Sequence, residues 1–136
     1  MKKGLFIPDT LTERKKFLNS YLSQFVGKKF FCKALNVDVY FNSNSLKETV
    51  YKAAISKKST ELVYYMPYII ANMKPYKKNA KPKSKSQKTN FFFENIMLLT
   101  CEVKNVGIAH IVIGMTINKN YVEYSITDFE YKKKRQ

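Results

Sequence analysis

The sequence is poor in the side chains from which metal sites, disulfide frameworks and membrane spans are built. Its 136 residues include one histidine, two cysteines and ten carboxylates. One histidine gives no ligand cluster, and Cys32 and Cys101 have no metal-ligand spacing; their apolar surroundings predict small buried thiols. No apolar run is long enough to cross a bilayer. We therefore expect no metal, no cofactor and no membrane partner.

Acidic residues are scarce beside 25 Lys and Arg, which leaves a formal net charge of +15 at pH 7. This excess predicts a polyanionic partner, nucleic acid first, with an acidic protein as an alternative. The first 90 residues and the tail 131–136 are basic, whereas residues 91–131 are slightly acidic. The apolar run after the basic start stops at Pro8, so we expect no signal peptide and a cytoplasmic protein. The length fits a single domain, 1–136.

The stretch from Gly107 to Glu130 predicts a β-hairpin and contains the only histidine. Apolar and polar residues alternate with a period of two on both sides of the turn residues Asn118–Asn120. The apolar sets of the two strands must share one face, and this requirement fixes a register. The predicted pairs, around a two-residue turn at Lys119–Asn120, are Ile117 with Val122, Met115 with Tyr124 and Ile113 with Ile126.

The opposite face of the predicted hairpin collects polar side chains. His110 lies diagonal to Thr127 in this register, and Thr116 lies opposite Glu123, with Ser125 nearby. A histidine, a carboxylate and hydroxyls on one sheet face can support acid–base chemistry, since a reference pKa of about 6.5 suits histidine to proton transfer near neutrality. The default alternative is that these residues form only the solvent-facing side of an antiparallel sheet.

The first half of the chain predicts helices around one short strand. Thr10–Glu13 has the pattern of a capping box that starts a helix, and Arg14 to Lys16 are expected on its solvated face. Val37–Phe41 alternates as a strand. A second capping-box pattern, Ser45–Glu48, predicts a helix that begins at Leu46.

A third helix is predicted from Ser59 or Thr60 to Met73, with a kink or break at Pro67. Lys74 to Asn90 has too little apolar surface to offset the entropy of ordering it, and therefore predicts a long mobile loop. Such a loop either clamps phosphates or only aids solubility. Its candidate nucleic-acid contacts are Lys74, Lys77, Lys78, Lys81, Lys83, Lys85 and Lys88, with Tyr76 for base stacking.

Phe91 to Val103 predicts a strand that turns at Lys104–Gly107 into the His110 strand. If its odd-numbered residues face the core, Thr100 and Glu102 join the face of His110. The predicted fold is therefore α+β, with N-terminal helices packed on one face of a small C-terminal antiparallel β-sheet. The first strand must then join the edge of that sheet.

Four stretches carry a family resemblance: VDVYFNSNSLKETVYKAA (37–54), IIANMKPY (69–76), GIAHIVIGMT (107–116) and YVEYSIT (121–127). Together they resemble the nuclease superfamily of barnase, EndoU, the tRNA-cleaving colicins and RelE. The narrower resemblance is to its phage-borne and large-polyvalent-protein-associated branch. The resemblance covers most of the chain, from about Phe30 to Phe129.

The resemblance implies RNA cleavage without a metal, in which the 2′-hydroxyl attacks its own phosphodiester and leaves a cyclic phosphate. It implies His110 as the basic group, Ser125 and Thr127 as the hydroxyls, and Lys47 as a cation in the first turn of the matching helix. EndoU-type sites use two histidines and this chain has one. A second acid or base would have to be a lysine, a tyrosine or Glu123.

Three functions remain open from the sequence. The first is a metal-independent endoribonuclease, a toxin or effector of a mobile element, with an acidic immunity or antitoxin protein as a candidate partner. The second is a catalytically inactive domain that binds RNA or DNA. The third is a phage-type inhibitor that binds a host nucleic-acid-processing complex.

Overall fold

The computed structural model describes residues 6–80 and 95–129, which form four α-helices and six β-strands. The helices are α1 (Leu11–Leu22), α2 (Ser43–Ala53), α3 (Lys57–Val63) and α4 (Met66–Asn72). The strands are β1 (Lys28–Cys32), β2 (Val37–Phe41), β3 (Lys74–Ala80), β4 (Asn95–Val103), β5 (Gly107–Met115) and β6 (Tyr121–Asp128). None of the helices in these two ranges has the length and apolar content needed to cross a membrane.

The strands form one curled, mixed sheet in the order β1-β2-β6-β5-β4-β3. β4, β5 and β6 make the predicted antiparallel meander. The hairpin of β1 and β2 joins its edge through a parallel pair between β2 and β6. The α+β class is confirmed, and so is the place of the early strand at the edge. The sheet is nevertheless larger than predicted, and it is mixed rather than purely antiparallel.

The core lies between the helices and one face of this sheet. That face presents alternate residues of β4 and β5, including Leu99, Cys101, Ile111 and Ile113, as their direct pairing requires. The predicted assignment of these residues to the core is therefore confirmed. Both cysteines are buried free thiols, as expected.

The helix boundaries confirm two sequence signals and correct a third. Thr10 is the N-cap of α1 and accepts from the Glu13 amide at 3.2 Å. Pro67 lies in the first turn of α4, where a proline costs no hydrogen bond, so the predicted third helix is split in two. The start of α2 was predicted too late, because Asn42 and Ser45 form the capping box and the helix begins at Ser43.

Arg14 is buried rather than on a solvated helix face, with 8% of its surface exposed. Its guanidinium donates to four carbonyl oxygens. These are the oxygens of Ala54 at 2.6 Å, Asp9 at 2.8 Å, Pro8 at 3.1 Å and Ile55 at 3.4 Å. Carbonyls at the end of a helix have no partner within it. Arg14 therefore ties the start of α1 to the end of α2.

The first part of the predicted Lys-rich loop is a strand. Lys74 to Ala80 pairs with β4 in an irregular, bulged register. A strand forms here through backbone hydrogen bonds to β4, a contribution that side-chain composition does not reveal. The rest of that loop, residues 81–90, lies outside the described residues, as do residues 91–94 and the basic tail.

Candidate nucleic-acid interface

The β5–β6 hairpin contains a β-bulge that overturns its predicted register. Val112 pairs with Ser125 and Ile113 pairs with Glu123, so Tyr124 is an extra residue in β6. The loop is also longer than the predicted two-residue turn, because β5 ends at Met115 and β6 begins at Tyr121. The predicted pairs Ile117–Val122, Met115–Tyr124 and Ile113–Ile126 are therefore wrong. A bulge inserts one residue and breaks the strict alternation on which that register depended.

The bulge moves Glu123 to the helix side of the sheet. Its carboxylate oxygens lie 2.9 and 2.8 Å from Oγ1 of Thr49 on α2, and the side chain is fully buried. The prediction that Glu123 shares a face with His110, opposite Thr116, is wrong for this reason. Glu123 cannot serve as the second acid or base beside His110.

Burial raises the pKa of Glu123 from 4.5 to about 8, and the hydrogen bond from Thr49 offsets only part of the shift. The carboxyl group therefore keeps its proton at neutral pH. A threonine hydroxyl has a single hydrogen, so only one of the two short contacts can be donated by Thr49. The protonated carboxyl can donate the other. Glu123 is a neutral structural group beneath α2.

The other side of the meander, called the His110 face here, presents His110 between two threonines. His110 pairs directly with Thr127 on β6 and with Thr100 on β4, and Ser125 lies on the same side of β6. His110, Ser125 and Thr127 are thus brought together, as the sequence predicts, although Thr127 is directly opposite His110 rather than diagonal. All three are buried, and His110 is only 3% exposed.

Tyr76 on β3 contacts the imidazole directly. Its hydroxyl lies 3.0 Å from Nδ1 of His110, and its ring packs edge-on against the rings of His110 and Phe129. Burial raises the pKa of Tyr76 above the usual tyrosine value, so the phenol is protonated at neutral pH. It can therefore donate to Nδ1, which places the proton of a neutral imidazole on Nε2.

Lys47 lies in the helical layer, away from the His110 face. It is exposed on α2 and lines a groove of about 260 Å³ between α1 and α2, together with Lys15 and Tyr51. The two helices pack over the opposite side of the sheet from His110. The structure therefore does not bring Lys47 together with His110, Ser125 and Thr127.

The predicted nucleic-acid contacts are only partly described. Lys74 and Tyr76 are exposed on β3, and 36% of the Tyr76 surface is accessible. Lys77 and Lys78 belong to the same strand. Lys81, Lys83, Lys85 and Lys88 lie outside the described residues.

A cleft that sequence analysis missed lies beside the His110 face. β3 begins at Lys74, which pairs with Thr100, so beyond Thr100 the edge of β4 faces α4 instead of a strand. The resulting α4–β4 cleft has a volume of about 480 Å³. Its lining residues are Tyr68, Asn72, Lys74, Thr100, Cys101, Glu102 and Ile108. Residues from two distant segments form it, and no local motif in either segment signals it.

Two lysines lie at the α4–β4 cleft. Lys74 is part of its lining, and Lys33 donates to Oδ1 of the lining residue Asn72 at 3.3 Å. Both are exposed, and neither forms an ion pair with a described carboxylate.

Among residues 6–80 and 95–129, no three His, Cys, Asp or Glu side chains come together as a metal site. Comparisons with protein-family models, with characterised proteins and with solved structures found no match to this chain.

Proposed function

We propose that this protein binds RNA, and that the α4–β4 cleft and the adjoining His110 face are the contact surface. The observation that carries the proposal is the formal charge of +15, combined with Lys33 and Lys74 at one concave surface, neither of them in an ion pair with a described carboxylate. Ammonium groups without carboxylate partners are available to phosphates, and releasing counterions from a nucleic acid favours such contacts. The choice of RNA over DNA rests on the resemblance to the ribonuclease superfamily.

The side chains at this surface also suit single-stranded nucleic acid. Tyr68 is 53% exposed beside the cleft, and Tyr76 is partly exposed on the neighbouring strand. Aromatic rings next to cations are the usual means by which proteins hold unpaired bases and their backbone. The shared chemistry is base stacking combined with phosphate neutralisation.

Affinity for single-stranded RNA is expected to fall steeply with salt. If Lys33 and Lys74 each neutralise a phosphate, the logarithm of the association constant should fall with the logarithm of salt concentration with a slope of about −1.4 or steeper. Fluorescence anisotropy with a labelled RNA at several KCl concentrations measures this slope. An affinity that does not change with salt, or no binding at low salt, contradicts the proposal. In the second case an acidic protein partner, such as an immunity protein or a host complex, becomes the better candidate.

A second candidate function is metal-independent endoribonuclease activity, as expected of a mobile-element toxin or effector. It is favoured by the contact between Tyr76 and His110 on a face that also carries Ser125 and Thr127. With its proton on Nε2, the imidazole would take the proton of the 2′-hydroxyl at Nδ1 as that oxygen attacks phosphorus, once the Tyr76 hydroxyl turns from Nδ1 to the leaving group. The bond from phosphorus to the 5′-oxygen then breaks, and that oxygen needs a proton. The Tyr76 hydroxyl would donate it and then recover a proton from Nδ1, whereas Glu123 and Lys47 lie elsewhere. The low exposure of His110 makes cleavage the second candidate rather than the first.

Cleavage of total RNA in EDTA is expected to depend on His110 and Tyr76. Tyr76→Phe removes one hydroxyl and keeps the ring, so it should slow cleavage at least about tenfold while RNA binding is retained. His110→Ala should reduce cleavage by about 10²-fold or more. Thr116→Ala, outside this cluster, is the control. Full cleavage by His110→Ala would exclude this site, and no cleavage by the parent protein would leave RNA binding alone.

A further inference from the structure

The α4–β4 cleft combines groups that differ from those of a simple phosphate clamp. Glu102 and Lys74 both line it, carry opposite charges, and form no ion pair with each other or with another described residue. Tyr68 and Ile108 are both exposed at its walls, with 53% and 43% of their surfaces accessible. A carboxylate repels phosphate, so the presence of Glu102 distinguishes this cleft from a surface that only neutralises phosphates.

We propose that the α4–β4 cleft holds one nucleotide of a bound RNA and selects bases that carry an exocyclic amino group. This inference rests on the proposed RNA binding and names the base preference of the same surface. Tyr68 stacks on the base, Glu102 accepts hydrogen bonds from its amino group, and Lys74 contacts a neighbouring phosphate. The volume of about 480 Å³ lies within the usual range for small-molecule sites.

The hydrogen-bonding state of the polar residues supports this assignment. The amide of Asn72 is engaged, since its Nδ2 donates to the Tyr68 carbonyl at 2.9 Å and its Oδ1 accepts from Lys33. The hydroxyl of Thr100 donates to the Ala109 carbonyl at 3.1 Å, so it can only accept further bonds. An ionised Glu102 is also an acceptor without hydrogens. The polar groups that remain open on β4 therefore accept hydrogen bonds, and they match a ligand edge that donates them.

The four bases differ in whether they carry an amino group that can donate a hydrogen bond to Glu102. Cytosine and adenine present an amino group on the edge used for pairing, and guanine presents one as well. Uracil has a carbonyl oxygen where cytosine has its amino group, and a carbonyl facing Glu102 would set two acceptors against each other. Cytosine and uracil have rings of the same size and stack similarly, so their comparison isolates the contribution of Glu102.

The cleft also lies next to the polar side chains of the His110 face. Thr100 lines the cleft and pairs directly with His110, and Ile108 precedes His110 by two residues on the same side of β5. A base held by Tyr68 and Glu102 therefore brings its own sugar and phosphates towards the His110 face. The base in the cleft would decide which RNA sequences are held there.

The test compares binding of oligocytidylate and oligouridylate of equal length to the full chain at one salt concentration. The parent protein should prefer oligocytidylate on the order of tenfold. Glu102→Gln should abolish the preference by strengthening oligouridylate binding, because an amide can donate to the uracil carbonyl. Glu13→Gln, on α1, makes the same change in charge and should retain the preference. Tyr68→Ala should weaken both ligands several-fold.

The outcomes separate this inference from the function on which it rests. Salt-sensitive binding without a cytosine preference overturns the inference and leaves RNA binding intact. A preference that Glu102→Gln and Glu13→Gln change equally also overturns it, because the effect is then one of charge. If the parent protein binds neither oligonucleotide at low salt, both proposals fail.

Discussion

The stability of the Glu123→Gln variant relative to the parent protein is expected to increase with pH, by on the order of 4 kcal/mol between pH 5 and pH 8. The pKa of Glu123 is raised to about 8 in the folded protein by burial, from 4.5 for the free group. Between these values the folded state holds a proton that the unfolded state has released. Stability of the parent therefore falls by about 1.4 kcal/mol per pH unit in this window.

The sign of this effect follows from which form of the carboxyl is buried. Well below pH 4.5 both states are protonated, and Glu123 makes no pH-dependent contribution. As pH rises towards 8, unfolding becomes easier because it lets Glu123 ionise in water. Glutamine has no such ionisation, and its amide can still donate to Oγ1 of Thr49.

Urea unfolding of both proteins at pH 5, 6, 7 and 8 measures the effect as a difference, which cancels the other titrating groups. Glu102→Gln, at an exposed position, is the matched control and should keep the pH dependence of the parent. Parallel stability curves for Glu123→Gln and the parent would show that Glu123 is not buried as a neutral acid.

Replacing Arg14 with methionine is expected to destabilise the fold by about 3 kcal/mol or more. Methionine keeps much of the aliphatic stem but leaves four carbonyl oxygens without their donor. Hydrogen bonds from a charged group contribute about 1.5–3 kcal/mol each, and they are not additive around one side chain. The loss should appear in urea unfolding at constant pH.

Lys16→Met removes the same charge two residues along α1, where the side chain is exposed and, within residues 6–80 and 95–129, forms an ion pair only with Glu13 at 3.8 Å. Surface changes of this kind usually stay within about 0.5 kcal/mol. An equal loss of stability in the two variants would indicate that charge, rather than the carbonyl contacts, accounts for the Arg14 effect.

Hydrophobic alternation was sufficient to predict the meander and part of its register. Leu99 and Cys101 were correctly placed on the core side with Ile111 and Ile113, because both faces of these strands are set by strict alternation. The same argument failed for β6. The bulge at Tyr124 turns Glu123 towards Thr49 of α2, and nothing in the local sequence marks it.

Ionisable side chains that the fold buries were the hardest to predict. Arg14 was assigned to solvent because it lies off the apolar stripe of its helix, whereas its guanidinium satisfies backbone carbonyls at the end of α2. Glu123 was assigned to the polar face by strict alternation, which the bulge in β6 breaks. The α4–β4 cleft required knowledge of where β3 stops pairing with β4, which is a property of the folded sheet.

The location of the RNA-binding surface is tested most directly by two double variants with equal changes in charge. One replaces Lys33 and Lys74 at the cleft with glutamine, and the other replaces Lys15 and Lys47, which line the groove between α1 and α2. Affinity for single-stranded RNA should fall at least about tenfold in the first variant and far less in the second, with a shallower salt dependence only in the first. Equal losses in the two variants, or a larger loss in the second, would contradict the account.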